Sequence, residues 1–230
     1  AMEGMLRVEN GVIVSSGSML IVICLAIGAV ILYVIGSMIW NVLGIGQTKP
    51  DYTVAYLSSR RLTPEMVQTL EEGLATLGQD RNGDGTVSVL VSQYIIAGGE
   101  SMENITHDYA GEMGMLADIT EGFSTFFLLE DPESFQKHYQ VLSHRDGTPP
   151  HEEDYSALDK VYRWASCPAL AGLDLGNYTE SYLDITETGS FQELLSGLYV
   201  GRRYFYDPKM DTAPQASQAF WEAMTAGAAE

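Results

Sequence analysis

The chain opens with a long uncharged run and then changes to short apolar segments whose period switches between strand and helix. Glu9 and Lys49 bound the uncharged run. Its most apolar part, residues 19–40 (MLIVICLAIGAVILYVIGSMIW), would rise to about 33 Å as a helix, against a hydrocarbon core of about 30 Å. It predicts one transmembrane helix over 19–43, after a short N-terminal segment 1–18 and before a linker 44–50. The run is longer than a signal-peptide core and ends at Trp40-Asn41 with no small-x-small cleavage site. Cys24 follows the bulky Ile23, so lipid attachment is not indicated, and Trp40 is placed to sit at the headgroup level.

Beyond the linker, residues 52–57 (YTVAYL) read as a strand. Thr63-Pro64 then starts a helix with Met66, Val67, Leu70, Leu74 and Leu77 at helical spacing, ending at Gly78. A second strand is expected over 87–96. Ser101 should cap a helix presenting Met102, Ile105, Tyr109, Met113 and Leu116 as its apolar face. Residues 124–130 (STFFLLE) form a continuous apolar run, the mark of a strand covered on both faces, and Asp131-Pro132 opens another helix. Strand and helix alternate three times, which implies right-handed crossovers and a parallel sheet. The pattern weakens over 143–187. Ser190 with Glu193 matches a capping box, 198–206 reads as a strand, and a last helix spans about 213–225. The expected fold is α/β: a transmembrane helix, then a three-layer domain over 51–230 with a mainly parallel sheet.

Charge narrows the partners. The chain carries a net charge of −19, and residues 51–230 hold 29 acids against 10 bases. Nucleic acid is excluded as a partner on this balance, since phosphate binding needs clustered Lys and Arg. Cations or neutral polar molecules fit better. Arg7 is the sole cation before the span while Lys49, Arg60 and Arg61 follow it, a bias that by itself opposes an exported C-terminus. A large domain translocates largely regardless of charge, and an extracytoplasmic domain anchored in the cytoplasmic membrane is the expected arrangement.

Candidate chemistry is sparse. Asp80-Arg-Asn82-Gly-Asp84-Gly-Thr86 places oxygen ligands at alternate positions, as in the first half of an EF-hand-type calcium loop, but Val91 stands where the bidentate carboxylate belongs. The same residues are strong turn formers, so calcium site and plain turn both stay open. His144, Asp146, His151, Glu152 and Glu153 match no standard zinc spacing. Tyr155, Tyr162 and Trp164 are candidates to stack a ligand, with core packing as the alternative. Cys167 has no neighbouring base in sequence and suits a buried thiol better than a nucleophile. No phosphate loop, nucleophile elbow, HExxH or dinucleotide fingerprint occurs.

The succession of membrane helix, 49–56 (KPDYTVAY), 80–85 (DRNGDG) and 127–132 (FLLEDP) resembles uncharacterised bacterial single-pass membrane proteins with an exported α/β domain. Over residues 50–142 it is distantly similar to a lobe of the extracellular solute-binding proteins. The resemblance implies fold and location, with solute binding by analogy, and carries over no ligand residue. The expected function is a non-catalytic, membrane-anchored binding domain for a small solute or an envelope protein. The alternative is an envelope hydrolase using acidic residues or Cys167.

Overall fold

The computed structural model describes residues 7–9, 12–14, 26–27, 49–98, 102–182, 185–207, 209–210 and 213–229. The chain divides into two units, Ala1–Thr48 and Lys49–Glu230. In the first, strands β1 (Arg7–Glu9) and β2 (Val12–Val14) form an antiparallel pair. Apart from Ala26 and Ile27, the expected span 19–43 lies outside the described residues, as does Ser101. Among the described residues no helix is long and apolar enough to cross a membrane.

The second unit begins with the alternation expected from the pattern: β3 (Tyr52–Ser58), α1 (Pro64–Ala75), β4 (Val89–Ile95), α2 (Met102–Glu121), β5 (Phe126–Leu129) and α3 (Pro132–Tyr139). Local signals set the helix starts. The Thr63 hydroxyl accepts from the Met66 amide, the Asp131 carboxylate from the Ser134 amide, and proline fills the first position of both α1 and α3. β6 (Tyr162–Arg163), a 3-10 turn at Trp164–Ser166, α4 (Pro168–Ala171), the hairpin β7 (Asn177–Tyr182) with β8 (Ile185–Ser190), α5 (Phe191–Leu195), β9 (Tyr199–Arg202) and α6 (Pro214–Thr225) complete the unit.

The sheet corrects one expectation: it is mixed, not mainly parallel. Its order is β4-β3-β5-β9-β6, with β3 parallel to both β4 and β5, and β9 antiparallel to both β5 and β6. The reason lies in the connection. Parallel neighbours need a crossover that carries the chain back along the sheet. Between β6 and β9 the α-helices among the described residues are α4 and α5, of 4 and 5 residues, and the Trp164 amide donates to Leu198 O at 2.8 Å. The excursion therefore returns to the end it left, and β9 runs back the opposite way.

Two cores sandwich the sheet. On one face Tyr52, Val54, Tyr56, Phe126 and Leu128 meet α1 through Leu70 and Leu74 and α6 through Phe220 and Trp221. Phe220 stacks on Tyr52 with ring centroids 4.0 Å apart. On the other face Ala55, Phe127 and Leu129 meet Met115 of α2 and Phe135 of α3. Phe126, Phe127, Leu128 and Leu129 are each at most 1% exposed.

A second correction concerns α2. Ile105, Tyr109, Met113 and Leu116, read from the sequence as its apolar face, are exposed, while Met115 and Asp118 are buried; the side chain of Met102 lies outside the described residues. Close approach to the sheet turned the helix. A Cβ at Gly111 would collide with the Ile95 carbonyl, and one at Gly114 would press on the Tyr94 ring. Asp118 takes hydrogen bonds from the Tyr94 hydroxyl at 2.7 Å and the Ser124 amide at 2.9 Å. Glycines and a bonded aspartate thus occupy the face that a hydrophobic stripe was expected to fill.

Because β5 is covered on both sides, Phe127→Ala should cost about 3–5 kcal/mol of unfolding free energy. Urea denaturation of the full chain checks this, and a loss under about 1 kcal/mol would contradict close packing at that site.

Candidate functional site

The site follows from topology. From β3 the chain crosses through α1 on one face to reach β4, then returns through α2 on the other face to reach β5. The carboxyl ends of β3 and β5 therefore lie where the winding reverses, the place where open α/β sheets leave a crevice for ligands. The loops emerging there are Ser58-Ser59-Arg60 and Glu130-Asp131.

Glu130 ties the two loops together. Its carboxylate accepts from the Ser58 hydroxyl at 2.7 Å, the Ser59 amide at 2.6 Å and the Ser59 hydroxyl at 2.9 Å. Desolvation raises its pKa, but the bonds from Ser58 and Ser59 outweigh it and hold the carboxyl below its ordinary value. Next in sequence, Arg60 turns away, pairing with Glu180 at 2.7 Å and Glu187 at 3.3 Å on the β7–β8 hairpin.

Above this junction lies a cavity of about 470 Å³ between α2 and α3. Leu57, Ile96, Met113, Leu116, Phe135 and Tyr139 supply apolar wall. Ser58, Ser59, Glu112, Glu130, Asp131, Ser134 and His138 supply the polar groups. His138 Nδ1 lies 2.7 Å from Ser134 O. A carbonyl only accepts, so Nδ1 carries the proton and, in the neutral ring, Nε2 is an acceptor. Burial raises the pKa of the Tyr139 phenol, and the Glu112 charge on α2 raises it further.

A second cavity, of about 500 Å³, shares the Glu130-Asp131 turn and is lined by Arg145, Val161 and Tyr162 among others. The three aromatic candidates are not brought together as one exposed stack. Tyr162 is half-buried with Arg145 4.3 Å over its ring. Trp164 is fully buried, and its indole N–H donates to Gln192 Oε1 at 2.8 Å. Tyr155 is exposed in the loop before β6.

The candidate calcium residues form a turn that bonds to its own backbone. Asp80 accepts from the Gly83 and Gly85 amides, Asn82 from the Asp84 amide, and Asp84 from the amide and hydroxyl of Thr86. Asp51, which the sequence reading passed over, anchors this turn to the sheet. It accepts from the amides of Arg81 at 2.7 Å, Asn82 at 3.1 Å and Ser88 at 2.8 Å. Among the described residues no three His, Cys, Asp or Glu side chains gather as a metal would need.

The histidine-rich loop is an ion-pair cluster. His144 Nδ1 lies 2.7 Å from Asp159, and the fully buried Lys160 reaches Asp154 at 2.8 Å and Asp159 at 2.9 Å. His151 packs edge-on against His144, while Asp146 caps its own turn at Thr148. Cys167 is fully buried, and desolvation pushes its thiol up to about 11.

Sequence reasoning missed the crevice groups Ser58, Ser59, Glu130 and His138. The available signal was positional: Ser58 and Ser59 close the first strand of a βαβ unit, and Glu130 directly follows the most apolar strand. Compared with models of known protein families, with curated proteins and with solved structures, the chain matches none.

Asp51 generates a pH prediction. Desolvation raises its pKa, but hydrogen bonds from Ser88, Arg81 and Asn82 leave it below the ordinary 3.8. The unfolded chain therefore takes up the proton first on acidification. The contribution is whole above about pH 5 and is lost as pH falls through the depressed folded value. Asp51→Asn should lower stability by about 1.5–3 kcal/mol at pH 7 and flatten the acid limb of the stability curve. Urea titrations at pH 7 and pH 3 check both; an unchanged acid limb would remove Asp51 from this role.

Proposed function

We propose that the second unit is a non-catalytic binding domain for a small solute, held in the crevice at the carboxyl ends of β3, β4 and β5. The observation that carries this reading is the coincidence of the topological reversal with an apolar-walled cavity of about 470 Å³, within the roughly 300–1,000 Å³ of small-molecule sites. The groups at its floor are already fixed. Glu130 is held by three donors and the His138 ring by a carbonyl, so a ligand would meet a preorganised surface. The hydrolase alternative draws no support from Cys167. A fully buried thiol pushed up to about 11 is not a nucleophile at neutral pH.

Ser134 lines the crevice and is exposed, its amide tied to Asp131. Ser134→Trp should fill the crevice without disturbing the backbone. In a thermal-shift screen of small metabolites against the full chain, ligands that raise the melting temperature should lose at least tenfold in affinity in this variant, about 1.4 kcal/mol. Equal shifts in both proteins would place binding elsewhere.

The same proposal includes an anchor. Residues 19–43 act as a single transmembrane span in the lipid bilayer of the cytoplasmic membrane, with residues 49–230 on the extracytoplasmic side. The uncharged run between Glu9 and Lys49 supports it. Protease added to intact protoplasts should remove the domain. Full protection with an intact membrane would reverse the orientation.

A further inference from the structure

The crevice has a chemical preference, and this inference rests on the solute-binding reading. We infer that its ligand is an organic cation, an amine or quaternary ammonium group carried on an apolar body.

Among the described residues neither Lys nor Arg lines the crevice, and its charged groups are the carboxylates of Glu112, Glu130 and Asp131. Arg60, beside Ser59, is drawn to the hairpin by Glu180 and Glu187.

At the reversal point of an open sheet, loop amides and a helix N-terminus ordinarily cradle negative groups. Here the protein's own carboxylates have taken those places. The Ser59 amide donates to Glu130, and the Ser134 amide in the first turn of α3 donates to Asp131. A phosphate or carboxylate ligand would meet fixed negative charge and displaced donors. A protonated amine would meet acceptors, because the Glu112, Glu130 and Asp131 oxygens and His138 Nε2 all accept from N–H, and a quaternary ammonium, which has no N–H, would meet the same carboxylate charge.

Met113, Leu116, Ile96 and the half-buried Tyr139 ring suit a hydrocarbon or aromatic body, and a tyrosine face attracts cations. A bare metal ion fits less well, since it would leave this wall unused and, among the described residues, no three metal-ligating carboxylate, imidazole or thiol groups converge. The domain's net negative charge also raises the local concentration of cations.

A matched fragment set tests this inference: phenylethyl and phenylpropyl bodies bearing ammonium, trimethylammonium, hydroxyl or carboxylate, screened against the full chain by ligand-observed NMR, with calcium chloride as the metal control. Ammonium members should bind at least tenfold more tightly than their alcohol and carboxylate counterparts, and Ser134→Trp should abolish their binding. Glu112→Gln, on the exposed side of α2, should weaken the ammonium members three- to tenfold and leave the alcohols unchanged. Circular dichroism confirms that each variant is folded. If carboxylates bind as tightly as ammonium members and Ser134→Trp removes both, the charge preference is wrong while solute binding stands. Displacement of ammonium members by millimolar calcium would overturn the organic-cation assignment in favour of a metal. If no member binds in a way that Ser134→Trp removes, the solute-binding reading itself fails.

Discussion

Phe126–Leu129 has no solvent-facing side, and the second unit is arranged around that constraint. Phe126 and Leu128 enter one core, Phe127 and Leu129 the other, and the strand pairs in parallel with Val54 to Leu57 and antiparallel with Arg202 to Tyr199. Fully burying each of these side chains contributes about 1.5–3 kcal/mol. That gain exists only if helices cover both faces at once, so α1 and α6 must lie on one side and α2 and α3 on the other. The crevice is a by-product of the same requirement. A chain that covers one face and then the other has to reverse its winding, and the reversal leaves the ends of β3 and β5 open between α2 and α3.

Three cations of this acidic unit, Lys160, Arg202 and Arg203, work inside it. Lys160 is fully buried, and its ammonium meets Asp154, Asp159 and Ser156 O. That triple contact satisfies its three donors and pins the loop before β6. Arg203 reaches the Asp118 and Ile119 carbonyls, in the last turn of α2 where backbone acceptors are unpaired and the helix dipole is negative. Arg202 bonds to Ser143 and Gln218 beneath Trp221, and burial pushes both guanidinium pKa values down. With these three bases consumed as internal ties, most of the excess acid faces solvent. The crevice inherits that sign.

Asp51 and Glu130 show one device used at opposite ends of the sheet. Each is a carboxylate at a strand boundary that gathers donors from a loop distant in sequence: Asp51 three amides from the turn before β4, Glu130 one amide and two hydroxyls from the loop after β3. Charge-assisted bonds to several donors hold a loop more firmly than single neutral bonds. At the Asp51 end the result is a closed turn. At the Glu130 end it is a fixed floor beneath a cavity.

The early part of the fold was legible in the chain itself because its signals are local. Thr63-Pro64, Asp131-Pro132 and the Ser190/Glu193 box cap helices within a few residues, and the unbroken run at 126–129 announces a doubly covered strand wherever it is placed. The facing of α2 was not legible. Hydrophobicity pointed to Ile105, Tyr109, Met113 and Leu116, yet the helix turns Gly111, Gly114, Met115 and Asp118 inward, since only a small or specifically bonded surface lets it approach Ile95 and Tyr94. The direction of β9 was decided by the excursion from Trp164 to Leu198, whose short helices carry no periodic signal long enough to read. The crevice depended on tertiary structure most of all. Ser58 and Glu130 lie 72 positions apart, and nothing in either segment names the other. By itself the sequence determined the first three strands and helices of the second unit, the last helix, the buried strand and the charge; three-dimensional packing decided which faces meet and which distant residues share a site, because contacts between remote segments leave no periodicity in the chain.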